Sequence, residues 1–325
     1  MNINNNEKVI TVDNAYKKIF SECMKVRKDE TVLIITDEKR YKIAKKIFNV
    51  GKKFTDKVYL LEMTEKGKDG EELSKYIEDV MTGADVVIAP TSKSISHTDA
   101  RRNACKAGTR VASMPGITED ILERTLNTDY NKIEELSIKI AEILDDGKYV
   151  KLISDKGTDI EFSISNRKGI ADTGKITQRG DFGNLPAGEA YTAPVENTAD
   201  GKLVFDGAIA GIENLDSPVK IEVKKGKILS IEGEKAAQQF ENIINNADKN
   251  AKCIAELGIG TNDKAVLTSS LLEVEKVLNT VHIAFGDNVT MGGNNNSDLH
   301  IDGVIKNPTL IIDGKTIIED GNLII

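Results

Sequence analysis

Short apolar runs alternate with amphipathic stretches over residues 8–150. Thr31-Val-Leu-Ile-Ile-Thr36 has no polar alternation and is rich in β-branched residues, which predicts a strand buried on both faces. Val58-Tyr-Leu-Leu61, Asp85-Val-Val-Ile-Ala-Pro90 and Thr109-Arg-Val-Ala-Ser-Met114 predict further strands, one of them closed by its proline. Between them, Tyr41 to Lys53 carries Ile43, Ala44, Ile47 and Phe48 at helical spacing, and helices are predicted over 71–81 and 98–106. This β-α-β-α rhythm is the pattern of a parallel sheet with helices on its faces. A last amphipathic helix, Glu134 to Leu144, runs out at Gly147.

From Tyr149 onward the texture changes to alternation and turns. Val150-Lys-Leu-Ile-Ser and Ile160-Glu-Phe-Ser-Ile164 flank the turn Asp155-Lys-Gly157, which predicts a hairpin. Strands are expected at Leu203–Ile209, Val219–Val223 and Ile228–Ile231, with one helix near Lys235–Ala247. The expected architecture is α/β: an N-terminal parallel α/β domain over 1–148 and a C-terminal α+β, β-rich domain over 149–325. No glycine-rich phosphate loop follows any strand of the first half, so a nucleotide site has little support there.

A net charge of -8, a pI near 5.2 and no basic stripe argue against nucleic acid or an anionic membrane as partner. The N-terminal stretch has no apolar signal core and no run approaches a membrane span, which predicts a cytoplasmic protein. The three cysteines, Cys23, Cys105 and Cys253, are far apart and form no C-x-x-C pair, so they read as reduced and structural.

Of three histidines in the chain, two fall between His282 and Asp302. In His300-x-Asp302 the side chains are two residues apart and share a strand face, and Thr280–Phe285 alternates with His282 and Ala284 on one side. Two strands joined by the loop Met291-Gly-Gly-Asn-Asn-Asn-Ser-Asp298 would bring two imidazoles and a carboxylate together, a set that suits zinc, iron, cobalt or manganese. The competing reading makes His282 a satisfied core histidine and Asp302 a turn residue before Gly303. Two more acids stand in unusual settings. Glu189 follows Gly188 beside a Pro- and Gly-rich segment, and Glu256 interrupts an apolar run before what reads as a Gly-x-Gly turn. A carboxylate in such a run is rarely buried unless it is paired or metal-bound. His97 reads either as a bystander beside a capping Ser96 or Thr98, or as a residue at the domain interface.

Asn184-Leu-Pro-Ala-Gly-Glu189, Glu256-Leu-Gly-Ile-Gly-Thr-Asn262, His282-Ile-Ala-Phe-Gly286 and His300-Ile-Asp302 occur in an order and spacing that resembles the thermophilic aminopeptidases, the M29 metallopeptidases. The chain looks like the family's short branch, described as aminopeptidase T-like or leucyl aminopeptidase. The resemblance covers the C-terminal half and, more weakly, the N-terminal half through Ser96-His97-Thr98. It implies two divalent ions (zinc, cobalt or manganese) held by Glu189, Glu256, His282, His300 and Asp302, with Glu256 as the bridge. Two such ions activate a water and polarise a scissile carbonyl. One position departs from the pattern: Val289 stands where longer members carry a tyrosine seven residues after the first ligand histidine. Tyr191 is the last tyrosine of the chain and the candidate to replace that hydroxyl.

The resemblance therefore implies a metal-dependent aminopeptidase acting on short peptides, with Glu189 and Tyr191 catalytic and a homodimer that walls off the cleft. The alternative is a mononuclear non-haem Fe(II) ring-cleaving dioxygenase, because a pyridine-ring-cleaving iron dioxygenase resembles this same branch and His282, His300 and Asp302 would serve one iron. A third reading is a metal- or peptide-binding relative without turnover, in line with Val289.

Overall fold

The structure is a computed structural model that describes residues 14–213 and 215–325; the N-terminal stretch 1–7 read above lies outside them. Two compact units divide the described chain: residues 14–132 with 172–187, and residues 133–171 with 188–325. The expected single boundary near 148 thus becomes three chain crossings, the first of them inside a helix.

In the first unit, strands β1 (Val32–Asp37), β2 (Val58–Met63), β3 (Val86–Ala89) and β4 (Arg110–Ser113) alternate with helices α1 (Tyr41–Gly51), α2 (Lys75–Thr82), α3 (Asp99–Ala107) and α4 (Glu119–Thr125). Every strand pairing in this sheet is parallel, in the order β2-β1-β3-β4. Leu33, Ile35, Val87, Ala89 and Val111 cluster with Ile77 and Met81 of α2 and Ala100 and Ala104 of α3. Val32, Ile34, Val86 and Ile88 are fully buried as well, so unbroken apolar runs mark strands covered on both sides. The predicted parallel α/β half is present.

Helix α5 (Tyr130–Asp146) leads into the expected hairpin, β5 (Tyr149–Ile153) and β6 (Asp159–Ser163), paired antiparallel. Two short strands follow, β7 (Ile170–Asp172) and β8 (Phe182–Asn184). Strand β8 returns to the first unit and extends its sheet beside β4, a pairing that the three-residue sequence Phe-Gly-Asn did not announce. The remaining elements are β9 (Glu189–Thr192), β10 (Asp200–Phe205), β11 (Val219–Lys224), β12 (Lys227–Glu232), α6 (Lys235–Asn246), β13 (Ile254–Gly260), α7 (Leu271–Val274), β14 (Val281–Gly286), β15 (His300–Ile305), β16 (Thr309–Ile312), β17 (Lys315–Glu319) and β18 (Asn322–Leu323).

Two antiparallel sheets make up the second unit: eight strands in the order β12-β11-β10-β6-β5-β16-β17-β18, and five in the order β15-β14-β13-β9-β7. They share one core with α5 and α6. Phe205 of β10, Phe240 of α6 and Phe285 of β14 meet edge-on, with centroids 6.0, 6.4 and 6.2 Å apart, and so tie both sheets to the helix. Gly303 makes room for this cluster, since a Cβ there would stand 2.2 Å from the Phe205 ring.

Candidate metal centre

The five-stranded sheet presents two different faces. Ala190, Leu257, Ile259, Val281, Ile283, Phe285, Ile301 and Ile305 point into the core. Alternation then sends Glu189 and Tyr191 of β9, Glu256 of β13, His282 of β14, and His300 and Asp302 of β15 to the other face. All five donors named from the sequence therefore lie on one sheet face, within four adjacent strands.

Small residues separate these side chains. Ala284 stands between Glu256 and Asp302 in the register, and Gly258 between Tyr191 and His282. The expected turn at Gly258-x-Gly260 is not a turn, because both glycines lie within β13. Close approach explains them. A Cβ on Gly258 would fall 1.9 Å from Nε2 of His282, and one on Gly260 would fall 2.0 Å from the Val277 carbonyl oxygen. Strand β13 also carries a bulge between Ile254 and Glu256. Ile254 and Leu257 both join the core, so the extra residue is what turns Glu256 towards the donors.

The donors form two overlapping groups, Glu189–Glu256–His282 and Glu256–His300–Asp302, each with ligand atoms within 4.8 Å of one another. Nε2 of His282 lies 3.3 Å from Oε2 of Glu189 and 3.3 Å from Oε1 of Glu256. Nε2 of His300 lies 3.2 Å from Oε2 of Glu256 and 3.6 Å from Oδ1 of Asp302. Glu256 thus addresses one imidazole with each oxygen. Nδ1 of His300 is 2.7 Å from the Asp287 carbonyl oxygen. A carbonyl only accepts, so Nδ1 carries a proton and Nε2 is the nitrogen turned to the centre, the usual second contact of a metal-binding histidine.

Two buried atoms here, Nδ1 of His282 and Oδ2 of Asp302, have no hydrogen-bond partner among the described residues, and Oε2 of Glu189 faces the His282 ring nitrogen at 3.3 Å. Carboxylate oxygens left open or turned to an imidazole nitrogen fit a divalent cation better than a closed hydrogen-bond network. Burial works against a charged His282, but Glu189 and Glu256 outweigh it and raise its pKa well above the ordinary histidine value. Burial is likewise overcome at His300, by Asp302 and Glu256. Glu256 is held far below the carboxylate range despite its burial, through contacts from both histidines. A cation entering this cluster displaces protons from the imidazoles.

Sequence reasoning missed Lys276. Its ammonium is 2.7 Å from Oε1 of Glu189 and 2.8 Å from Oε2 of Glu275, and the side chain is 1% exposed. Leu-Leu-Glu-Val-Glu-Lys276 reads as the charged end of a surface helix, which hides this role. Gly260 is what permits it. Glu189 pairs with Gly260, and the bare glycine lets the backbone at 276–277 cross closely enough to deliver the ammonium. Burial, set against the nearby Lys276 and with Asp302 and Glu189 adding to it, pushes Glu275 up to about 8. Tyr191 is half-buried on the donor face, opposite Gly258. Val289 is 50% exposed on a short turn after β14, and so offers the cluster no polar group. His97 is exposed in the turn before α3, where Thr98 is the capping residue.

Comparison with known proteins returns two chemistries on this scaffold. The 2,5-dihydroxypyridine 5,6-dioxygenase of Pseudomonas putida is 21% identical over 257 residues, spanning 75% of this chain and 72% of that protein. A solved structure of 2,5-dihydroxypyridine dioxygenase from Pseudomonas putida superposes with a TM-score of 0.81 at 18% identity, covering 96% of each chain. Aminopeptidase PepS of Streptococcus thermophilus is 22% identical over 195 residues, 54% of this chain and 47% of PepS. AmpT from Thermus thermophilus shares the fold with a TM-score of 0.70 at 13% identity, over 98% of this chain and 100% of AmpT. The likeness to aminopeptidases that the motifs imply is therefore present in part, as weak homology to PepS and a shared fold with AmpT. A family profile covers nearly the whole chain. Residues 11–325 match that of NicX, 2,5-dihydroxypyridine 5,6-dioxygenase, and the chain belongs to this family.

Proposed function

We propose that this protein is a mononuclear non-haem Fe(II) dioxygenase that opens a hydroxylated, nitrogen-containing aromatic ring. The observation that carries the reading is the gathering of His282, His300 and Asp302 around Glu256 on one sheet face, in a chain of the dioxygenase family. Two histidines and one carboxylate are the set that holds such an iron. Bound there, Fe(II) supplies the redox chemistry that joins dioxygen to an electron-rich ring. The protein's own part is positioning. The Asp287 carbonyl fixes the His300 tautomer, and the empty space over Gly258 seats the His282 imidazole. Glu256, between the imidazoles, supplies negative charge that favours a divalent ion. Both oxygen atoms of one dioxygen enter the product as one ring carbon–carbon bond breaks, so no separate reductant is consumed.

One observation favours the aminopeptidase as a second reading. Glu256 is shared by two complete donor groups, the layout of a bridging carboxylate between two ions. The readings separate in one assay. Protein reconstituted anaerobically with Fe(II) is mixed with 2,5-dihydroxypyridine, and dioxygen uptake is followed together with loss of ring absorbance. Equimolar uptake and ring loss are expected. Inertness towards dihydroxypyridines, with release of p-nitroaniline from amino-acid p-nitroanilides in the presence of zinc, cobalt or manganese, would overturn the dioxygenase in favour of the peptidase.

A further inference from the structure

We infer that the Lys276 ammonium fills the cation position at the Glu189 end of the site, so that the centre accepts one divalent ion and not two. The inference rests on the metal-centre reading above and is independent of which substrate the centre acts on. Of the two donor groups, the one containing Glu189 already holds a positive charge: Lys276 Nζ lies 2.7 Å from Oε1 of Glu189. The lysine is buried at 1% exposure and Glu189 side-chain exposure is 8%, so solvent screens the pair poorly. An ion drawn to the remaining oxygen of Glu189 would sit on the same carboxylate as the ammonium. Like unit charges ~4 Å apart at an effective dielectric of ~20 repel strongly enough to weaken binding about 10³-fold, and a divalent ion doubles the repulsion energy and so squares that factor.

Charge balance points the same way. Glu189, Glu256 and Asp302 are all buried, and Lys276 is the cation on this cluster among the described residues. One ammonium against these carboxylates leaves two negative charges, which a single divalent ion neutralises while the imidazoles stay neutral. A second ion would leave the buried cluster with excess positive charge, which is costly to bury. Glu275, the other acid on Lys276, is 15% exposed and keeps an edge to solvent. His300 and Asp302 at the other end form no ion pair with a lysine or arginine among the described residues, and there, with His282 across Glu256, the accepted ion is drawn.

The test is a titration of metal-stripped, full-length protein with Co(II), read by visible absorption and by metal analysis after desalting. Wild-type protein is expected to saturate at one Co(II) per chain. Lys276→Met removes the charge at similar length and is expected to bind a second Co(II), tighter than wild type by at least ~10³-fold. Lys276→Arg keeps the charge and is expected to stay at one. Should Lys276→Met fail to fold because Glu189 is left buried and unpaired, Lys276→Gln keeps a hydrogen-bond donor towards Glu189 without the charge and is expected to fold and bind a second Co(II), and a folded Lys276→Gln chain that binds one would overturn the inference. Two Co(II) per wild-type chain, or one per folded Lys276→Met chain, would overturn the inference while leaving the metal centre in place. No Co(II) bound by wild-type protein would overturn the metal centre itself.

Discussion

Gly258 is where a single atom matters most. Its backbone lies in a regular strand, so alanine meets no backbone strain there, yet a Cβ would stand 1.9 Å from the His282 ring nitrogen. Gly258→Ala should therefore leave the fold intact and push the imidazole out of line. Metal affinity should drop ~10–100-fold, the range found when groups that orient a ligand histidine are lost. A Co(II) titration of the variant with unchanged affinity would show that the glycine is incidental. The donors themselves were legible because histidine is scarce in this chain and the i, i+2 spacing of His300 and Asp302 fixes a shared face. Lys276 was not legible, because its burial depends on a crossing over Gly260 that no local pattern encodes.

At the scale of elements, the parallel half followed from its apolar runs, since strands covered on both faces need no alternation. Glu72 shows what such patterns leave out. Its carboxylate accepts hydrogen bonds from the backbone N–H groups of Asp99, at 2.7 Å, and Ala100, at 3.1 Å, while Thr98 accepts from Arg101 at 3.2 Å. Together they satisfy three of the open donors at the start of α3. Partial desolvation works against the Glu72 charge, but the two backbone contacts prevail and hold its pKa below the ordinary glutamate value. Its stabilising effect is therefore present above the unfolded pKa of ~4.3 and is lost as pH falls through the lower folded value. Glu72→Ala should cost ~0.5–1 kcal/mol at pH 7, a modest figure because the side chain is exposed. Denaturant melts at pH 7 and pH 3 should show the difference between wild type and variant shrinking at the acid end. A difference that persists at pH 3 would mean that packing, not charge, carries the contribution. The strand β8 and the bulge in β13 escaped the sequence for the same reason as this cap. Each is defined by a partner distant in the chain.

For the whole molecule, the sequence carried the scaffold and the gathering of the candidate donors further than it carried the reaction. Glu189, Glu256, His282, His300 and Asp302 are the same residue types whether the ion polarises a carbonyl or serves an oxygenase, so motif resemblance led to the peptidase while the family match leads to the dioxygenase. What both readings share is the placement of every donor in the second unit, on β9, β13, β14 and β15. Metal binding should then stabilise that unit specifically, because a ligand at 100 times its Kd adds ~2.7 kcal/mol to the state that binds it. Opening of the first unit releases no donor, so the same ion gives its sheet no such term. Hydrogen exchange with and without saturating Co(II) should slow across Glu189–Thr192, Ile254–Gly260, Val281–Gly286 and His300–Ile305. Exchange in Val32–Asp37 and Val86–Ala89 should be unaltered. Equal slowing in both sets would mean that the two units open as one cooperative body. Slowing confined to the first would remove the ion from the sheet face that holds the donors.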